Sequence, residues 1–376
     1  MECIHEQLDA APTILFVELE PWERDQLSEL CPGKCHIVAR QERLATVPDD
    51  QLVPEITVFS PFIHSEVTAE QLARMPNLKL IATRSTGFDH IDMAECGRRG
   101  ILGANVPHYG EDTVAEHAFG MLLALTRKIH RCYERTSRGD FSIDGLRGTD
   151  LAGKTFGCLG VGNIGSRAMR IAGGFGMNRL AHDMRQDPLL SGRYGFRYVD
   201  FDTLLAEADV LSVHLPLTDG THHMLNADAF GRMKKGAILI NTARGAIVDT
   251  AALIEALKGG HLGGAGLDVL EAETAVAEEA EMLSSSYDID TLRQVVQSNA
   301  LLRMPNVIIT PHNAFNAMAK AVWDRTAEKF LLENGAQTIL LTDAWFDWCS
   351  ERYRSFNPRT GTFTGYDGVK YFCQPK

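Results

Sequence analysis

A glycine-rich segment near the middle of the chain has the spacing of a phosphate-binding turn. Gly160, Gly162 and Gly165 follow the apolar run 155–159 and open a helical pattern. The first glycine permits a tight turn, the second lets a pyrophosphate approach the backbone, and the third lets the helix pack on the strand. Asp183 ends the next apolar run, where a carboxylate accepts hydrogen bonds from ribose hydroxyls and repels a 2′-phosphate. These residues predict binding of NAD in preference to NADP; the alternative is a glycine-rich turn without a ligand.

Two further polar residues follow apolar runs in the second half of the chain. Arg244 comes just after residues 237–242, and its planar guanidinium is suited to clamp a carboxylate through two N–H donors. His312 comes just after residues 307–310, and histidine exchanges a proton near neutral pH. Such a pair suits hydride transfer to a 2-oxo acid, whose carboxylate must be held and whose carbonyl oxygen needs a proton. The alternatives are a surface arginine in a turn and a structural histidine.

Short apolar runs alternate with longer amphipathic stretches, and this pattern predicts the elements that position these residues. The runs are almost continuously hydrophobic, which is typical of parallel strands covered on both faces. The predicted fold class is therefore α/β with doubly wound parallel sheets. Residues 275–302 interrupt the pattern and are predicted to form an irregular loop. The predicted strands are 13–19, 56–60, 78–83, 155–160, 179–183, 210–215, 237–242, 265–269 and 307–310, and the predicted helices are 112–131, 164–174 and 250–257.

Composition limits the classes of function. The length of 376 residues suggests two domains, and 45% hydrophobic with 23% charged residues is typical of a globular protein. The net charge of −12 disfavours nucleic acid and anionic membrane as partners. The longest apolar stretch, 118–125, is too short to span a membrane, and the acidic N-terminus does not read as a secretory signal. The eight cysteines form no Cys-x-x-Cys pair, so we expect reduced thiols, no metal site and a cytoplasmic location.

Five segments resemble motifs of the NAD-dependent D-2-hydroxyacid dehydrogenases and occur in the same order. They are RSTGFD at 84–89, VPHYGEDTVAEH at 106–117, INTARGAIVD at 240–249, GLDVLEAE at 266–273 and ITPHNAF at 309–315. Tyr109 after Val-Pro, the Ala-Phe pair that follows His312 and the long excursion after Glu273 are most similar to the D-lactate dehydrogenase branch. The resemblance extends over residues 55–335.

The resemblance implies an NAD-binding Rossmann domain inserted into a flavodoxin-like catalytic domain, with the substrate in the cleft between them. The catalytic domain would comprise residues 1–107 and 310–376, and the NAD-binding domain residues 108–309. The implied reaction is the NAD(H)-dependent, reversible reduction of a 2-oxo acid to the (R)-2-hydroxy acid. A homodimer is also implied, with helix 112–131 as a candidate contact.

The resemblance assigns roles residue by residue. Arg244 would hold the substrate carboxylate, His312 would carry the proton, and Glu273 would pair with the imidazole to fix its tautomer. Glu271 is the rival of Glu273, but the family spacing after Asp268 selects Glu273. The implied cofactor contacts are Gly160, Gly162, Asn163, Ile164, Gly165, Asp183, His214, Pro216, Thr221, Thr113, Thr242, Ala243, Arg244, Asp268 and His312. The implied substrate contacts are Thr86, Gly87, Tyr109, Arg244, Phe315 and Phe62.

Two features depart from the family pattern and leave the substrate open. The aromatic-rich tail beyond residue 340 has no counterpart in the family, and Asn316 stands where an aromatic or small residue is expected. A 2-oxo acid bulkier or more polar than pyruvate is therefore an alternative substrate. The rival functions are an NAD-sensing, corepressor-like binding protein on the same scaffold and a family enzyme for glycerate or phosphite. The physiological direction and the role of the tail stay open.

Overall fold

The chain divides into two compact units. The computed structural model describes residues 11–20, 23–24, 27, 35–85, 87–105, 110–271, 289–314, 362–364 and 370–372. The first unit includes the described residues up to 105 together with 362–364 and 370–372, and the second includes the described residues from 110 to 314. Because residues 106–109 and 315–361 lie outside the described part, the predicted domain limits stay a prediction.

The first unit contains a five-stranded parallel sheet. Its strands have the order β2-β1-β3-β4-β5, and their inward side chains form a core that includes Leu15, Phe59 and Ile81, all fully buried. The order of the strands reverses between β1 and β3, which is the doubly wound arrangement. The strands are β1 Thr13–Phe16, β2 His36–Ala39, β3 Ile56–Ser60, β4 Leu80–Ala82 and β5 Leu102–Ala104, with helices α1 Ala69–Ala73 and α2 Met93–Arg99.

The second unit contains a seven-stranded sheet in which every pair is parallel. The order is β12-β11-β10-β9-β6-β7-β8, so the winding direction reverses between β6 and β9. This order confirms the predicted α/β class. The strands are β6 Thr155–Leu159, β7 Asn178–His182, β8 Arg197–Tyr198, β9 Val210–Val213, β10 Ala237–Asn241, β11 Leu262–Leu267 and β12 Val307–Ile309. The helices are α3 Glu111–Arg127, α4 Ile129–Ser137, α5 Asn163–Gly174, α6 Pro188–Tyr194, α7 Phe201–Glu207, α8 Ala227–Arg232, α9 Thr250–Lys258 and α10 Ile289–Leu302.

The central strands of this sheet are buried on both faces. All four residues of β9 are buried, and Leu159 and Leu239 on its two neighbours have no exposed surface. A strand covered on both faces has no polar side to alternate with, which explains the continuous apolar runs in the sequence. A separate antiparallel hairpin pairs β13 Thr362–Thr364 with β14 Lys370–Phe372.

The predicted single helix over residues 112–131 is wrong. Lys128 adopts a left-handed conformation (φ 54°) and separates α3 from α4. The Thr149 N–H donates to the carbonyl of Thr126 at 2.9 Å, so a distant segment satisfies a carbonyl that the helix leaves open at its end. The Lys128 ammonium donates to the carbonyl of Gly145 at 3.0 Å. These contacts come from residues 145–149, which lie against the end of the helix. The hydrophobic pattern of residues 112–131 alone therefore could not indicate them.

Two other expectations need correction. Residues 289–302 form helix α10 rather than irregular loop, while residues 272–288 lie outside the described part. Cys35 takes part in a disulfide, so the expectation of reduced thiols throughout is wrong, although Cys96, Cys132 and Cys158 are free. In the described ranges no helix is both long and apolar enough to cross a bilayer.

Candidate active site

Three neighbouring strands of the second unit end at the same edge of the sheet, and each is followed by a residue that the sequence predicted to contact substrate or cofactor. Arg244 follows β10, Asp268 follows β11 and His312 follows β12. The register pairs Asn241 with Leu267 and Leu267 with Ile309, so the strand ends are level. Because adjacent strands lie about 4.8 Å apart, the guanidinium and the imidazole are carried by strands roughly 10 Å apart. The structure thus brings the predicted carboxylate clamp and the predicted proton carrier to one edge.

The turn that carries His312 is built around the carboxylate of Asp268. His312 has a left-handed backbone (φ 48°), and its N–H donates to the carbonyl of Asp268 at 2.9 Å. The next two amides, of Asn313 and Ala314, donate to Oδ1 and Oδ2 of Asp268, each at 3.0 Å. Burial disfavours the charged form of Asp268, but hydrogen bonds from His117, Thr310 and Ala314 outweigh it and hold the pKa of this carboxyl below its usual value.

The segment that carries Arg244 is fixed by a buried asparagine. Asn241 is 1% exposed, and its side chain accepts from the Ala243 N–H at 3.0 Å and donates to the carbonyl of Arg244 at 2.9 Å. Gly245 follows, and a Cβ at that position would collide with the backbone of Leu270. Only glycine therefore lets the segment after β10 lie against the segment after β11.

Glu271, the rival for the partner of His312, has another role. It is 7% exposed, and its Oε1 lies 2.6 Å from Nε2 of His223. Its Oε2 accepts from the Thr250 N–H at 3.0 Å and from the Thr250 hydroxyl, at the start of α9. Glu271 thus holds a helix N-terminus and a loop together, which disfavours it as the partner of His312. Glu273 lies outside the described residues, so its assigned role stays a prediction.

We expect Glu271→Gln to lower the free energy of unfolding by about 2–3 kcal/mol at pH 7, because the amide cannot accept from Thr250 and His223 together. Urea denaturation checks this value. Glu255→Gln is the matched control, since the side chain of Glu255 is 79% exposed and lies 3.9 Å from Lys258. A loss no larger than that of the control would show that the Glu271 contacts do not stabilise the fold.

The glycine turn has the shape of a dinucleotide cradle. Gly160 has φ 92°, and a Cβ there would lie 2.8 Å from the carbonyl oxygen of His214, which follows β9. A Cβ on Gly165 would collide with the carbonyl of Gly160. A Cβ on Gly162, in contrast, would meet nothing within 4 Å. Gly160 and Gly165 are therefore required for packing. Gly162 leaves open space beside the N-terminus of α5, as a pyrophosphate requires.

Asp183 has a structural contact that the sequence did not indicate. Its Oδ2 accepts from the Val161 N–H at 2.6 Å, inside the glycine turn, and its Oδ1 accepts from the Arg185 N–H at 2.8 Å. The side chain is half-buried at the end of β7. Because each carboxylate oxygen has two acceptor positions, Asp183 retains capacity for ribose hydroxyls while it anchors the turn.

Unsatisfied polar atoms mark the edge between the cradle and His312. Within the described residues, Thr242 Oγ1 and Asn313 Oδ1 are buried without a hydrogen-bond partner. A buried polar group without a partner is costly, and a bound ligand is one way to satisfy it. Thr242 is a predicted cofactor contact; Asn313 was not predicted, and only its position next to His312 could have suggested it. The donors and acceptors along this edge therefore fit a nicotinamide dinucleotide.

His214 is neutral at this edge. Its Nε2 lies 2.9 Å from Oγ of Ser212, and burial lowers the pKa of His214 to about 4. The imidazole therefore adds no charge beside the cradle at neutral pH. The hydroxyl of Thr221 donates to the carbonyl of Pro216 at 2.7 Å and so closes the turn that follows His214.

The remaining predicted contacts are distributed over both units. In the second unit, Thr113 lies in the first turn of α3, Asn163 and Ile164 begin α5, and Ala243 is 8% exposed. In the first unit, Phe62 lies under the guanidinium of Arg84, at 5.4 Å from ring centroid to Cζ, and the carbonyl of Gly87 accepts from Oγ of Ser85 at 2.6 Å. Thr86, Tyr109 and Phe315 lie outside the described residues.

Comparison with known proteins gives one consistent result. The family description "D-isomer specific 2-hydroxyacid dehydrogenase, NAD binding domain" matches residues 119–314. The 2-hydroxyacid dehydrogenase homolog 1 of Schizosaccharomyces pombe is 36% identical over 305 residues, which are 80% of this chain and 90% of that protein. The D-lactate dehydrogenase of Escherichia coli is 41% identical over 241 residues, which are 63% of this chain and 70% of that protein. The crystal structure of D-lactate dehydrogenase from Aquifex aeolicus, complexed with NAD and lactic acid, has a TM-score of 0.76 and 34% identity; the match covers 87% of this chain and 97% of that chain.

The doubly wound sheet with a glycine turn at its switch point defines an NAD-binding domain of the Rossmann class. The chain belongs to the D-2-hydroxyacid dehydrogenase family of NAD-dependent oxidoreductases, which confirms the resemblance seen in its motifs.

A different family description, "BA14K-like protein", matches residues 345–374. The tail that lacked a counterpart among the dehydrogenases is therefore similar to a second family.

Proposed function

We propose that the protein catalyses the reversible reduction of a 2-oxo acid to the (R)-2-hydroxy acid with NAD(H), in the manner of a D-lactate dehydrogenase. One observation carries the proposal. Arg244 follows β10 and His312 follows β12, the two strands on either side of β11, at the edge of the sheet that also holds the glycine cradle. The names of several relatives, D-lactate dehydrogenases among them, support the same substrate class.

Arg244 provides the clamp for the substrate. Its guanidinium donates two parallel N–H groups to the carboxylate and also stabilises the negative charge that develops on the carbonyl oxygen. Bound NADH supplies the hydride to the carbonyl carbon. Asn241 and Gly245 act indirectly, because they fix the backbone on either side of the arginine.

His312 moves the proton. In reduction its imidazolium donates to the carbonyl oxygen as the hydride arrives, and in oxidation the neutral ring accepts the proton from the hydroxyl. Glu273 is the proposed partner of the second ring nitrogen, where a carboxylate would fix the tautomer and favour the charged ring. The remaining cofactor contacts, from Thr113 to Asp268, and the pocket residues Phe62, Thr86, Gly87, Tyr109 and Phe315 stay predictions.

A substrate panel tests the proposal. NADH oxidation is measured with pyruvate, glyoxylate, hydroxypyruvate and bulkier 2-oxo acids, and NAD reduction is measured with phosphite. We expect turnover with at least one 2-oxo acid, with the acids ranked by kcat/KM, and formation of the (R) product by chiral chromatography. Tight NADH binding without turnover on any of these compounds would favour the NAD-sensing alternative and overturn the proposal.

The charge of Asp183 is expected to select NADH. Asp183→Ala should raise the Kd for NADH by roughly 10–100-fold, the effect of losing hydrogen bonds to a charged acceptor, while the Kd for NADPH changes less. Asp183→Asn separates two effects, because the amide oxygen still accepts from Val161 but the charge is lost. Fluorescence titration measures both constants, with the exposed Asp219→Ala as the control. A preference of the unmodified protein for NADPH would contradict the assignment.

A homodimer is the proposed assembly, and its contact is proposed on the end of the predicted helix 112–131 and the residues that follow it. Helix α3 buries its apolar side chains within the second unit. Four large apolar side chains that follow it are exposed, namely Ile129, Tyr133, Phe141 and Ile143, at 54–82%. Light scattering after size exclusion should give twice 41.5 kDa, about 83 kDa, and Phe141→Asp with Ile143→Asp should give the monomer mass. Met184→Asp, at an exposed position elsewhere, is the control. A monomeric unmodified protein would contradict the proposal.

The cytoplasmic location inferred from the sequence stays a prediction. The disulfide of Cys35 argues against the uniformly reduced thiols on which that inference partly depended.

A further inference from the structure

The backbone of His312 is held in a conformation that it would not adopt alone. A left-handed φ in a residue other than glycine is sterically unfavourable and persists only when surrounding contacts determine it. Here the contacts are three consecutive amides that donate to Asp268. Asp268 therefore acts as the template of the turn, and whatever orients its carboxylate also orients His312.

A side chain from α3 reaches this carboxylate. Nε2 of His117 lies 3.0 Å from Oγ1 of Thr310 and 3.4 Å from Oδ1 of Asp268. Oγ1 of Thr310 in turn lies 2.6 Å from Oδ1 of Asp268. The Asp268 side chain is 1% exposed, and the His117 side chain is 24% exposed. The three side chains thus form a largely enclosed chain of hydrogen bonds behind the turn.

The direction of these hydrogen bonds follows from counting protons. The carboxylate of Asp268 only accepts, so the single hydroxyl proton of Thr310 goes to Oδ1. The hydroxyl oxygen must then accept from His117, whose proton lies on Nε2. His117 is therefore a donor, and removal of its N–H leaves the Thr310 hydroxyl without its donor and the Asp268 carboxylate with less positive potential near it.

We propose that His117 is a positioning residue for the proton carrier: through Thr310 and Asp268 it fixes the turn on which His312 stands. This inference rests on the proposed function for its kinetic consequence, but its structural content does not depend on turnover. His117 is not among the catalytic, cofactor or substrate contacts that the sequence predicted, and its contacts are with Thr310 and Asp268. The expected effect is on kcat, because a displacement of about 1 Å at a catalytic group can slow the chemical step about 100-fold.

Variants at both ends of the chain of hydrogen bonds test the proposal. His117→Leu removes the donor and should lower kcat about 10–100-fold, with the KM for the 2-oxo acid and the Kd for NADH changed less than about threefold. His117→Gln supplies an amide N–H and should recover most of kcat. Thr310→Val should resemble His117→Leu, Thr310→Ser should resemble the unmodified protein, and the two damaging changes together should cost little more than either alone.

A spectroscopic measurement keeps this proposal separate from the proposed function. In protein labelled at histidine ring carbons, the resonance of His312 is identified by its absence from His312→Gln. It should shift in His117→Leu and return toward its original position in His117→Gln, whether or not any 2-oxo acid is turned over. An unchanged His312 resonance and unchanged kcat in His117→Leu would overturn the proposal. Equal damage in His117→Gln and His117→Leu, confined to thermal stability, would also overturn it and assign His117 a merely structural role.

Discussion

His312→Gln is expected to lower kcat by about 1,000-fold, within the range of about 100–10,000-fold usual for loss of a general acid–base group. Glutamine fills a similar space and offers hydrogen-bonding atoms, but it cannot give up or take a proton near pH 7. The turn itself should survive, because Asp268 holds it through backbone amides rather than through the imidazole. NADH affinity should persist and change much less than kcat, because His312 is only one of the implied cofactor contacts and the glycine cradle lies on other strands.

Stopped-flow mixing with NADH and the best 2-oxo acid separates the two quantities. The absorbance change gives the rate of hydride transfer, and nucleotide fluorescence gives the affinity. His222→Gln is the matched control, because this exposed histidine stacks on His223 at 4.1 Å and has no place in the proposed chemistry. Full activity of His312→Gln would reject His312 as the proton carrier.

Arg244→Lys is expected to raise the KM for the 2-oxo acid and lower kcat, with a combined loss in kcat/KM of about 100-fold or more. The ammonium keeps the charge but loses the planar pair of donors, so the carboxylate is no longer held in one orientation. NADH affinity should change little. Steady-state kinetics over a range of substrate concentrations measures both parameters.

Two comparisons sharpen the result for Arg244. Arg303→Lys makes the same change at an exposed position and should leave kinetics unaltered. Arg244→Ala should regain part of its activity when guanidine is added, because the missing group can then enter from solution. Unaltered kinetics in Arg244→Lys would remove this residue from the site.

The sequence was most informative where the physics is local. Continuous apolar runs predicted the buried parallel strands, and the glycine spacing predicted the cradle at the reversal of strand order. The short edge strands His36–Ala39, Leu102–Ala104 and Arg197–Tyr198 were missed, because partly exposed strands carry a weaker hydrophobic signal. The end of α3 at Lys128 was missed because Thr149, 21 positions further along, supplies the contact that stabilises it.

In the candidate site, too, local features could be predicted from the sequence and long-range contacts could not. Spacing along the chain singled out Arg244 and His312, and the level strand ends bring them to one edge. The positions of Asp268 and Glu271 in the sequence said nothing of their partners. Their hydrogen bonds join residues between 21 and 48 positions apart, and no local pattern reports contacts at such separations. The tertiary fold decided that Glu271 serves the start of α9.

The dependence of the His312 turn on Asp268 has a consequence for how such enzymes diversify. The buried carboxylate of Asp268 binds the main-chain amides of Asn313 and Ala314 and not their side chains. The side chains of these two residues can therefore vary while the turn that carries the proposed proton carrier keeps its anchor. Mutations there can accumulate under selection for a new substrate while the acid–base step is inherited intact. Such a scaffold allows the side chains of the turn to change while the anchor of the turn on Asp268 is kept.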